Sequence, residues 1–146
     1  MAAALAEARL AAAAGEVPIG CVIVVAGEIR AATHNRREEL NDPTAHAEVL
    51  AIREAGQRLG TWRLSGATLY VSLEPCPMCA GALVQARVEH LVYGADDPKA
   101  WADRSLLELL QNPGLNHRVK VTAGVLAEES STLLREFFRS RRGNGL

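Results

Sequence analysis

Two short segments constrain this chain more than any other feature. They read His46-Ala47-Glu48 and, further along, Pro75-Cys76-Pro77-Met78-Cys79. One histidine and two cysteines supply three ligands of the kinds that bind zinc, and three is the number typical of a catalytic site, which leaves the fourth position to water. A structural zinc site is usually closed by four protein ligands. The two segments therefore predict a catalytic metal site that the fold must assemble from distant parts of the chain.

The spacing within the two segments predicts a role for each side chain. Cys76 and Cys79 are three residues apart at the start of a predicted helix, so both sulfurs lie on one face. A helix N-terminus and a bound cation both favour the thiolate form that binds metal. His46 completes the set from the start of another helix. Glu48 lies two residues beyond His46 and on a different helical face, so we expect it beside the ion as a proton carrier and not as a ligand.

Length and composition indicate one globular domain covering residues 1–146. Hydrophobic residues make up 49% of the chain and charged residues 23%, which is typical of folded proteins that are not membrane-embedded. The Ala-rich start, residues 1–14, is interrupted by Glu7 and Arg9, so we interpret it as a helix and not as a targeting segment. The longest apolar run, residues 17–27, is too short to span a membrane, and no membrane association is expected.

Cysteine content and net charge bear on the cellular compartment of the protein and on its contact with nucleic acid. Two of the three cysteines belong to the metal segment, so a disulfide framework is not expected, and Cys21 is predicted to be a buried thiol in a reducing, cytoplasmic environment. The formal net charge of −1 provides no general attraction for a polyanion, so contact with nucleic acid would need a local patch. The clearest patch is a run of arginines near the C-terminus: Arg135, Arg139, Arg141 and Arg142. Without other evidence, such a cluster is more often the solvated end of a helix than an RNA contact.

The pattern of apolar and turn residues predicts an α/β fold with a mixed sheet. Strands are predicted at 22–25, 29–33, 67–73, 91–93 and 119–125. Helices are predicted at 1–14, from an N-cap at Asp42 or Thr44 to Gly60, from Pro75-Cys76 onward, at 105–110, and at 126–142, where Leu126, Leu133, Leu134, Phe137 and Phe138 are expected to cover the sheet. Residues 95–104 are predicted to form a loop.

A resemblance to a known family covers almost the whole chain. His-x-Glu followed by Pro-Cys-x-x-Cys is a signature of zinc nucleobase deaminases. Further matching segments, some of them specific to one family within that group, are Glu16–Gly20, His34-Asn35-Arg36, Pro43–Glu48, Leu69-Tyr70-Val71, Leu73–Cys76, Met78–Gly81, Tyr93–Lys99, Leu115–Arg118 and Phe137-Phe138-Arg139. On these residues the chain resembles the bacterial tRNA-specific adenosine deaminases of the cytidine-deaminase-like superfamily. The resemblance implies a three-layer α/β/α cytidine-deaminase-like fold with a five-stranded mixed sheet.

The resemblance also implies an activity, which is hydrolytic conversion of the wobble adenosine of a tRNA anticodon to inosine. One Zn2+ per chain and no organic cofactor are expected, with His46, Cys76 and Cys79 as ligands. Glu48 would take a proton from zinc-bound water, whose pKa a catalytic zinc lowers to ~7, and hand it to the base and the departing ammonia. The target base would be flipped into the pocket, which costs least in a single-stranded anticodon loop.

Further residues acquire roles only through the resemblance. Asn35 would hold the flipped nucleotide, and the loop with Asp96, Asp97 and Lys99 would contact neighbouring ribose and phosphate. The last helix would lie along the anticodon stem-loop with a group of four residues: Phe138, Arg139, Arg141 and Arg142. The family also forms homodimers in which both subunits shape the RNA channel, so a homodimer is expected.

One segment departs from the family pattern. After Lys99 the family usually has a Gly- and Ala-rich stretch, where this chain has Ala100-Trp101-Ala102-Asp103-Arg104. Trp101 either stacks on an RNA base, with Arg104 near phosphate, or packs on the protein itself.

Several alternatives stay open at this level. The enzyme could act on a free base or nucleoside, such as cytosine, cytidine or guanine, with the same metal chemistry. The chain could instead be a non-catalytic, zinc-stabilised RNA-binding module, or its Cys-x-x-Cys a redox pair. Outside the family pattern, Glu48 would be a surface acid, Asn35 a turn residue and His117 a capping or core histidine.

Overall fold

Strands and helices alternate along the chain in the computed structural model, which describes residues 1–144. Gly145 and Leu146, the end of the predicted 1–146 domain, lie outside the described residues. The strands are β1 (Gly20–Val25), β2 (Glu28–His34), β3 (Thr68–Leu73), β4 (His90–Ala95) and β5 (Lys120–Thr122). The helices are α1 (Ala2–Ala13), α2 (Arg37–Leu40), α3 (Ala47–Leu59), α4 (Pro77–Ala86), α5 (Pro98–Trp101), α6 (Leu106–Leu110) and α7 (Ala127–Asn144).

The strands form one mixed sheet in the order β2-β1-β3-β4-β5. The β1–β2 and β1–β3 pairs are antiparallel, whereas β3–β4 and β4–β5 are parallel. Parallel neighbours need crossover connections, and α4 and the α5–α6 segment provide them. The predicted five-stranded mixed sheet is therefore confirmed.

Helices cover the sheet on both faces. The α1 helix packs against β1, β2 and α7, while α3 packs against β2, β1 and α4. Successive residues of β1 show the two faces, because a Cβ on Gly20 would lie 1.9 Å from the Ala4 carbonyl oxygen of α1, whereas Cys21 on the other face is fully buried. Glycine is thus required where α1 crosses the strand. The layers match the predicted α/β/α arrangement, and Cys21 is buried as expected.

Four chain segments meet at one end of the sheet. The pairs Gly20↔His34 and Leu73↔Ala95 place the start of β1 beside the end of β2, and the end of β3 beside the end of β4. Segments that continue from these residues therefore lie close together although they are far apart in sequence. This end of the sheet is where open α/β sheets with parallel strands usually bind ligands.

The start of α3 differs from the sequence prediction. Neither Asp42 nor Thr44 is the N-cap, because the Asp42 carboxylate accepts bonds from the Thr44 amide at 2.9 Å and its hydroxyl at 2.7 Å, which closes a turn before the helix. His46 takes the N-cap position in an extended conformation. The helix ends at Gly60, which has a φ of +70°, as predicted.

The C-terminal elements are also displaced from their predicted bounds. The β5 strand is shorter than the predicted 119–125, because Gly124 and Leu126 adopt positive φ angles that end the extended chain. Leu126 lies before α7 and is 39% exposed, so the prediction that it covers the sheet is wrong. Phe138 is also exposed, whereas Leu133, Leu134 and Phe137 are half-buried.

Two short helices were not expected from the sequence. The α2 helix lies in the turn after β2, and α5 lies within residues 95–104, which were predicted to be a loop. Both contain only four residues, too few for a helical period to be visible. Within residues 1–144 no helix combines the length and the apolar character that a membrane span requires.

Candidate active site

His46 reaches the end of the sheet because of its place at the N-terminus of α3. The residue before it, Ala45, is buried, and the His46 amide donates to the Thr44 carbonyl at 2.8 Å. An N-cap residue has non-helical backbone angles, so its side chain is free to point away from the helix axis. The imidazole is half-buried and points toward the start of α4.

The start of α4 is fixed by two prolines on either side of Cys76. Pro75 is fully buried after β3, and Pro77 occupies the first helical turn with Cys76 as the N-cap. A residue before proline is restricted to extended ψ angles, and Cys76 has a ψ of 172°. Cys79 follows one helical turn later and is fully buried. The sequence predicted this helix start to within one or two residues.

Three metal donors meet between these helix starts. Ligand atoms of His46, Cys76 and Cys79 lie within 4.8 Å of one another, and no other such group was found in residues 1–144. The His46 Nδ1 atom is 3.6 Å from the Cys76 sulfur and 3.5 Å from the Cys79 sulfur. The three residues predicted to be ligands are therefore positioned to bind a metal ion.

The two thiols differ in acidity because they share one environment. A hydrogen bond from Cys79 is the main factor that lowers the pKa of Cys76 to about 4, and His46 lowers it further. The bond to Cys76, followed by burial, raises the pKa of Cys79. The bond to Cys76 also raises the pKa of His46, although burial opposes this. A cation between the sulfurs would replace the shared proton and stabilise two thiolates.

Glu48 is a buried acid beside the three donors. It is 4% exposed in the first turn of α3, and burial raises the pKa of its carboxyl group to about 7. The Cys79 side chain is a hydrogen-bond partner of this carboxyl group. Glu48 is not one of the three grouped donors. A carboxyl group with a pKa near neutrality can take up and release a proton at pH 7, which is the property required of a general acid–base group.

A cavity of about 280 Å³ opens beside His46. It is lined by Val17, Ile19, Asn35, Arg37, His46, Leu73, Asp97, Leu134 and Phe138. An adjoining cavity of about 270 Å³ shares Val17, Asn35, Arg37 and Phe138 with it and continues to Gly15, Phe137 and Arg141. The two cavities form a groove that leads from the metal donors to the C-terminal helix. We call this feature the substrate groove.

A larger cavity of about 590 Å³ lies elsewhere, between β2 and α3. Charged side chains that pair with one another line much of it, among them His34 with Glu7 and Arg36 with Glu39. None of the three grouped metal donors faces it. The chemistry therefore favours the smaller substrate groove as the functional site.

Asn35 is held in the groove by a network that begins at Glu16. The Asn35 amide nitrogen donates to the Val17 carbonyl at 3.3 Å, and its oxygen accepts from the Arg37 amide at 3.2 Å. The Glu16 carboxylate, 3% exposed, accepts from the amides of Glu38 at 3.1 Å and Glu39 at 2.7 Å. Glu16 thus stabilises the one-turn helix α2, which carries Arg37 into the groove.

The loop after β4 is bonded to the segment before Cys76. The Asp97 amide donates to a Glu74 carboxylate oxygen at 2.8 Å, and Tyr93 donates from its hydroxyl to Asp96 at 3.1 Å. Burial is the main factor that raises the pKa of both Glu74 and Tyr93. Asp97 faces the groove, whereas Asp96 and Lys99 are exposed outside its lining.

The C-terminal helix presents a mixed aromatic and basic surface. Phe137 and Phe138 pack edge to face with ring centroids 5.4 Å apart, and the Arg141 guanidinium lies 5.1 Å from the Phe137 centroid. Arg141 also donates to the Gly15 carbonyl, so it ties α7 to the segment after α1. Arg139 and Arg142 are exposed. Phe138 and Arg141 line the substrate groove, while the other two arginines do not.

Trp101 packs on the protein and does not face solvent. It is 8% exposed, and its indole nitrogen donates to the Pro75 carbonyl at 2.9 Å. The possibility that it stacks on an RNA base is therefore excluded by its burial. His117 has a structural contact within the protein, because its Nε2 donates a hydrogen bond to the Val88 carbonyl at 2.7 Å.

Similarity to known proteins agrees with this fold and shows the family of the chain. The family model for MafB19-like deaminases matches residues 1–142. A tRNA-specific adenosine deaminase of Bacillus subtilis (strain 168) is 55% identical to the chain over 139 residues, which are 95% of this chain and 86% of that protein. The chain belongs to the tRNA-specific adenosine deaminase family. The resemblance inferred from the sequence is confirmed.

Further similar proteins include another tRNA-specific adenosine deaminase and a deaminase of a different base. A tRNA-specific adenosine deaminase of Aquifex aeolicus (strain VF5) is 52% identical over 141 residues, 97% of this chain and 93% of that protein. A structure from work on A-to-I editing by tRNA:A34 deaminases at the wobble position of transfer RNA has 48% identity and a TM-score of 0.86, and covers 92% of this chain and 97% of that chain. A guanine deaminase from Nitrosomonas europaea has 30% identity and a TM-score of 0.80, and covers 92% of this chain and 80% of that chain.

Two groove residues had no role in the sequence prediction. Arg37 lines both cavities, and Glu16 holds the helix that carries it. Glu16 appeared only as part of a matching segment, and its contact partners lie more than twenty residues away. An acid directly before the apolar Val17-Pro18-Ile19 run was the available signal, since a carboxylate at such a position needs partners if it is buried.

The buried Glu16 carboxylate generates a prediction. In Glu16→Gln the new amide group can accept from only one of the two backbone amides and presents N–H groups to the other, so we expect the free energy of unfolding to fall by ~1–3 kcal/mol. Chemical denaturation measures this change. Glu38→Gln is the matched control, because Glu38 is exposed and its replacement should change stability by no more than ~0.5 kcal/mol. Equal stability of the two variants would contradict the assigned role of Glu16.

Proposed function

We propose that the protein converts the wobble adenosine of a tRNA anticodon loop to inosine by hydrolytic deamination, with one Zn2+ per chain. The observation that carries this proposal is that three metal donors lie together beside the buried carboxyl group of Glu48, and that one of the donors, His46, lines the substrate groove. Two relatives that share about half of their residues with this chain are named tRNA-specific adenosine deaminases. The proposal assigns residues 1–146 to one catalytic domain.

The donor geometry fits zinc. Tetrahedral coordination with bonds of about 2.3 Å to sulfur and 2.0–2.1 Å to nitrogen places each sulfur about 3.5–3.6 Å from the nitrogen. The distances from His46 Nδ1 to the two sulfurs, 3.6 and 3.5 Å, match this value. Two thiolates and one imidazole are also a ligand set known for catalytic zinc. We assign His46, Cys76 and Cys79 as the ligands.

The reaction exchanges an amino group for oxygen. A C–O bond forms at C6 of adenine, the C–N bond breaks, and ammonia leaves with hydrogens that water and the amino group supply. Zinc, when bound, supplies a nucleophile at neutral pH because it lowers the pKa of a ligated water to about 7. Glu48 accepts the proton of the attacking water and delivers it to the base and the departing amine, a role that suits a carboxyl pKa of about 7.

The groove beyond the metal donors favours a polymeric substrate. Its outer cavity, of about 270 Å³, is nearly as large as the inner one and is lined by Phe137 and Arg141, which do not line the cavity beside His46. Asn35 would hold the flipped nucleotide from the junction of the two cavities. Asp96, Asp97 and Lys99 would contact neighbouring ribose and phosphate, and Phe138 with Arg139, Arg141 and Arg142 would lie along the anticodon stem-loop.

A free-base deaminase is the second candidate, because the chain is similar to a guanine deaminase. An ammonia-release assay separates the two. We expect turnover of an anticodon stem-loop with wobble adenosine, with inosine found in the product, and none of free adenosine, cytidine or guanine. Ammonia release from free adenosine, cytidine or guanine, with none from the stem-loop, would contradict the tRNA proposal. A zinc-stabilised module without catalysis would release no ammonia from any substrate, although its zinc would support the fold.

Glu48→Gln tests the proposed catalytic acid–base group in the same assay. The amide keeps the size of the side chain but cannot carry the proton, so turnover should fall by ~10²–10⁴-fold. Metal analysis should still find about one zinc per chain, since Glu48 is not a ligand. Glu54→Gln on the same helix should retain full turnover. Loss of zinc in Glu48→Gln would contradict the proposal that Glu48 carries a proton without binding the metal.

The exposed arginines of α7 provide a test of the RNA surface. We expect Arg139→Ala and Arg142→Ala each to weaken binding of the stem-loop and to reduce the slope of log affinity against log salt by about 0.7–0.9, because each would release fewer counterions. Fluorescence anisotropy at several salt concentrations measures this slope. Arg58→Ala is the control, because Arg58 pairs with Glu54 on α3, and its slope should equal that of the wild type. Unchanged slopes in the α7 variants would contradict the proposed surface.

A homodimer forms part of the proposal. Trp62 is 63% exposed beside α4, next to an apolar cavity, and the Arg63 and Arg87 guanidinium groups lie 5.1 and 5.7 Å from its ring. Large exposed aromatic residues flanked by arginine are enriched in protein interfaces. Sedimentation equilibrium should give about twice the chain mass of 15.6 kDa, and Trp62→Ser should shift the equilibrium toward the monomer. A wild-type mass of one chain would contradict the dimer.

The proposal also places the protein in the cytoplasm, where tRNA is found and where thiols stay reduced. All three cysteines are free thiols in the structure, which is consistent with such a compartment.

A further inference from the structure

The short helix α5 brings Trp101 to the segment that precedes a proposed metal ligand. The indole nitrogen donates to the Pro75 carbonyl at 2.9 Å, in a buried environment. That carbonyl belongs to the same peptide unit as the amide nitrogen of Cys76. A peptide unit is planar, so a hydrogen bond that fixes the direction of the Pro75 carbonyl also fixes the direction of the N–Cα bond of Cys76. The side chain of Cys76 turns about this bond when its φ angle changes.

The neighbouring prolines restrict most of the remaining freedom of Cys76. The ring of Pro75 fixes its own φ angle, and Pro77 restricts Cys76 to an extended ψ, observed at 172°. The soft rotations that remain near the thiolate are the Cys76 φ angle, the side-chain rotation and the tilt of the 75–76 peptide plane. Trp101 is the side chain that bonds to this plane.

Trp101 occupies its position at a conformational cost. The next residue, Ala102, has φ +52° and ψ −116°, a backbone conformation that residues other than glycine rarely adopt. Such a conformation persists only where surrounding contacts impose it. The Ala102 backbone is held by its neighbours on both sides. The Trp101 indole is buried, with 8% exposure, and the Arg104 amide donates a hydrogen bond to the Trp101 carbonyl at 2.8 Å.

We propose that Trp101 is a positioning residue for the metal centre, which orients Cys76 toward the ion through the Pro75 carbonyl. The proposal rests on the zinc site of the proposed function. Partners of this kind that hold a ligand in its binding orientation typically change metal affinity by about 10–100-fold when they are removed.

Trp101→Phe tests the hydrogen bond, because it keeps an aromatic ring in the buried space and removes the N–H donor. We expect zinc to dissociate at least about 10-fold faster into an excess of chelator with a colorimetric readout. In the cobalt-substituted protein, the sulfur-to-cobalt charge-transfer band should shift or weaken, because the Cys76 sulfur would no longer be held in one orientation. Trp101→Met fills the same space without a donor and should behave alike, including where Trp101→Phe is too unstable to purify.

Ile23→Val is the matched control for a general loss of stability. Ile23 is fully buried in β1, away from the site, so this variant weakens packing without altering the Pro75 carbonyl. We expect it to keep the zinc dissociation rate and the cobalt spectrum of the wild type. Wild-type rates and spectra in both Trp101 variants would overturn the proposal for Trp101 alone, whereas wild-type protein that binds no zinc would overturn the proposed function as well.

Discussion

Three potential metal-donor atoms from two distant segments lie within 4.8 Å of one another, because the packing of α3 and α4 beside the sheet brings the segments together. His46 and Cys76 are the N-cap residues of α3 and α4, two helices that pack against each other beside the sheet. Helix N-termini carry partial positive charge and so favour anionic groups near them. The same arrangement that brings the donors together thus favours thiolate sulfur and accommodates the nearby Glu48 carboxyl group.

The parallel pairing of β3 and β4 connects this centre to the residues expected to contact substrate. Both strands end at the same side of the sheet, so the segment that leads to Cys76 lies beside the loop with Asp97, and Glu74 bonds the two together. On the opposite flank Glu16 fixes α2 and the position of Asn35. Groups that are held in place before binding lose less entropy when the substrate arrives, which favours affinity and reactive alignment.

The comparison with guanine deaminase indicates how one framework accommodates different substrates. Overall structure is shared at a TM-score of 0.80, although only 30% of residues are identical. The metal donors and the buried acid depend on the layered framework, which both proteins possess. The outer part of the substrate groove depends instead on α7 and the segment after α1, where Phe137 and Arg141 meet Gly15. A difference in substrate can therefore arise from these peripheral elements without a change at the metal donors.

Local patterns in the sequence were enough to predict the end of α3 at Gly60 and the existence of the five strands, because these features depend on residues within a few positions of one another. The residue types and spacing within the two short segments were likewise enough to select His46, Cys76 and Cys79 as candidate donors, although their meeting depends on the fold. The N-cap of α3 was assigned to Asp42 or Thr44, because the sequence does not show that Asp42 closes a separate turn. Leu126 was expected in the core, but a positive φ angle removes it from α7.

The sequence by itself determined which side chains are available for chemistry, since the identities of His46, Glu48, Cys76 and Cys79 and the spacing within each of the two segments are local properties. Only the tertiary structure decided what surrounds that chemistry. Burial of Trp101 against Pro75 and bonding of Glu16 to α2 join residues more than twenty positions apart. Such contacts depend on how strands and helices pack in space, and local patterns of apolar and polar residues do not identify the partners of a buried side chain.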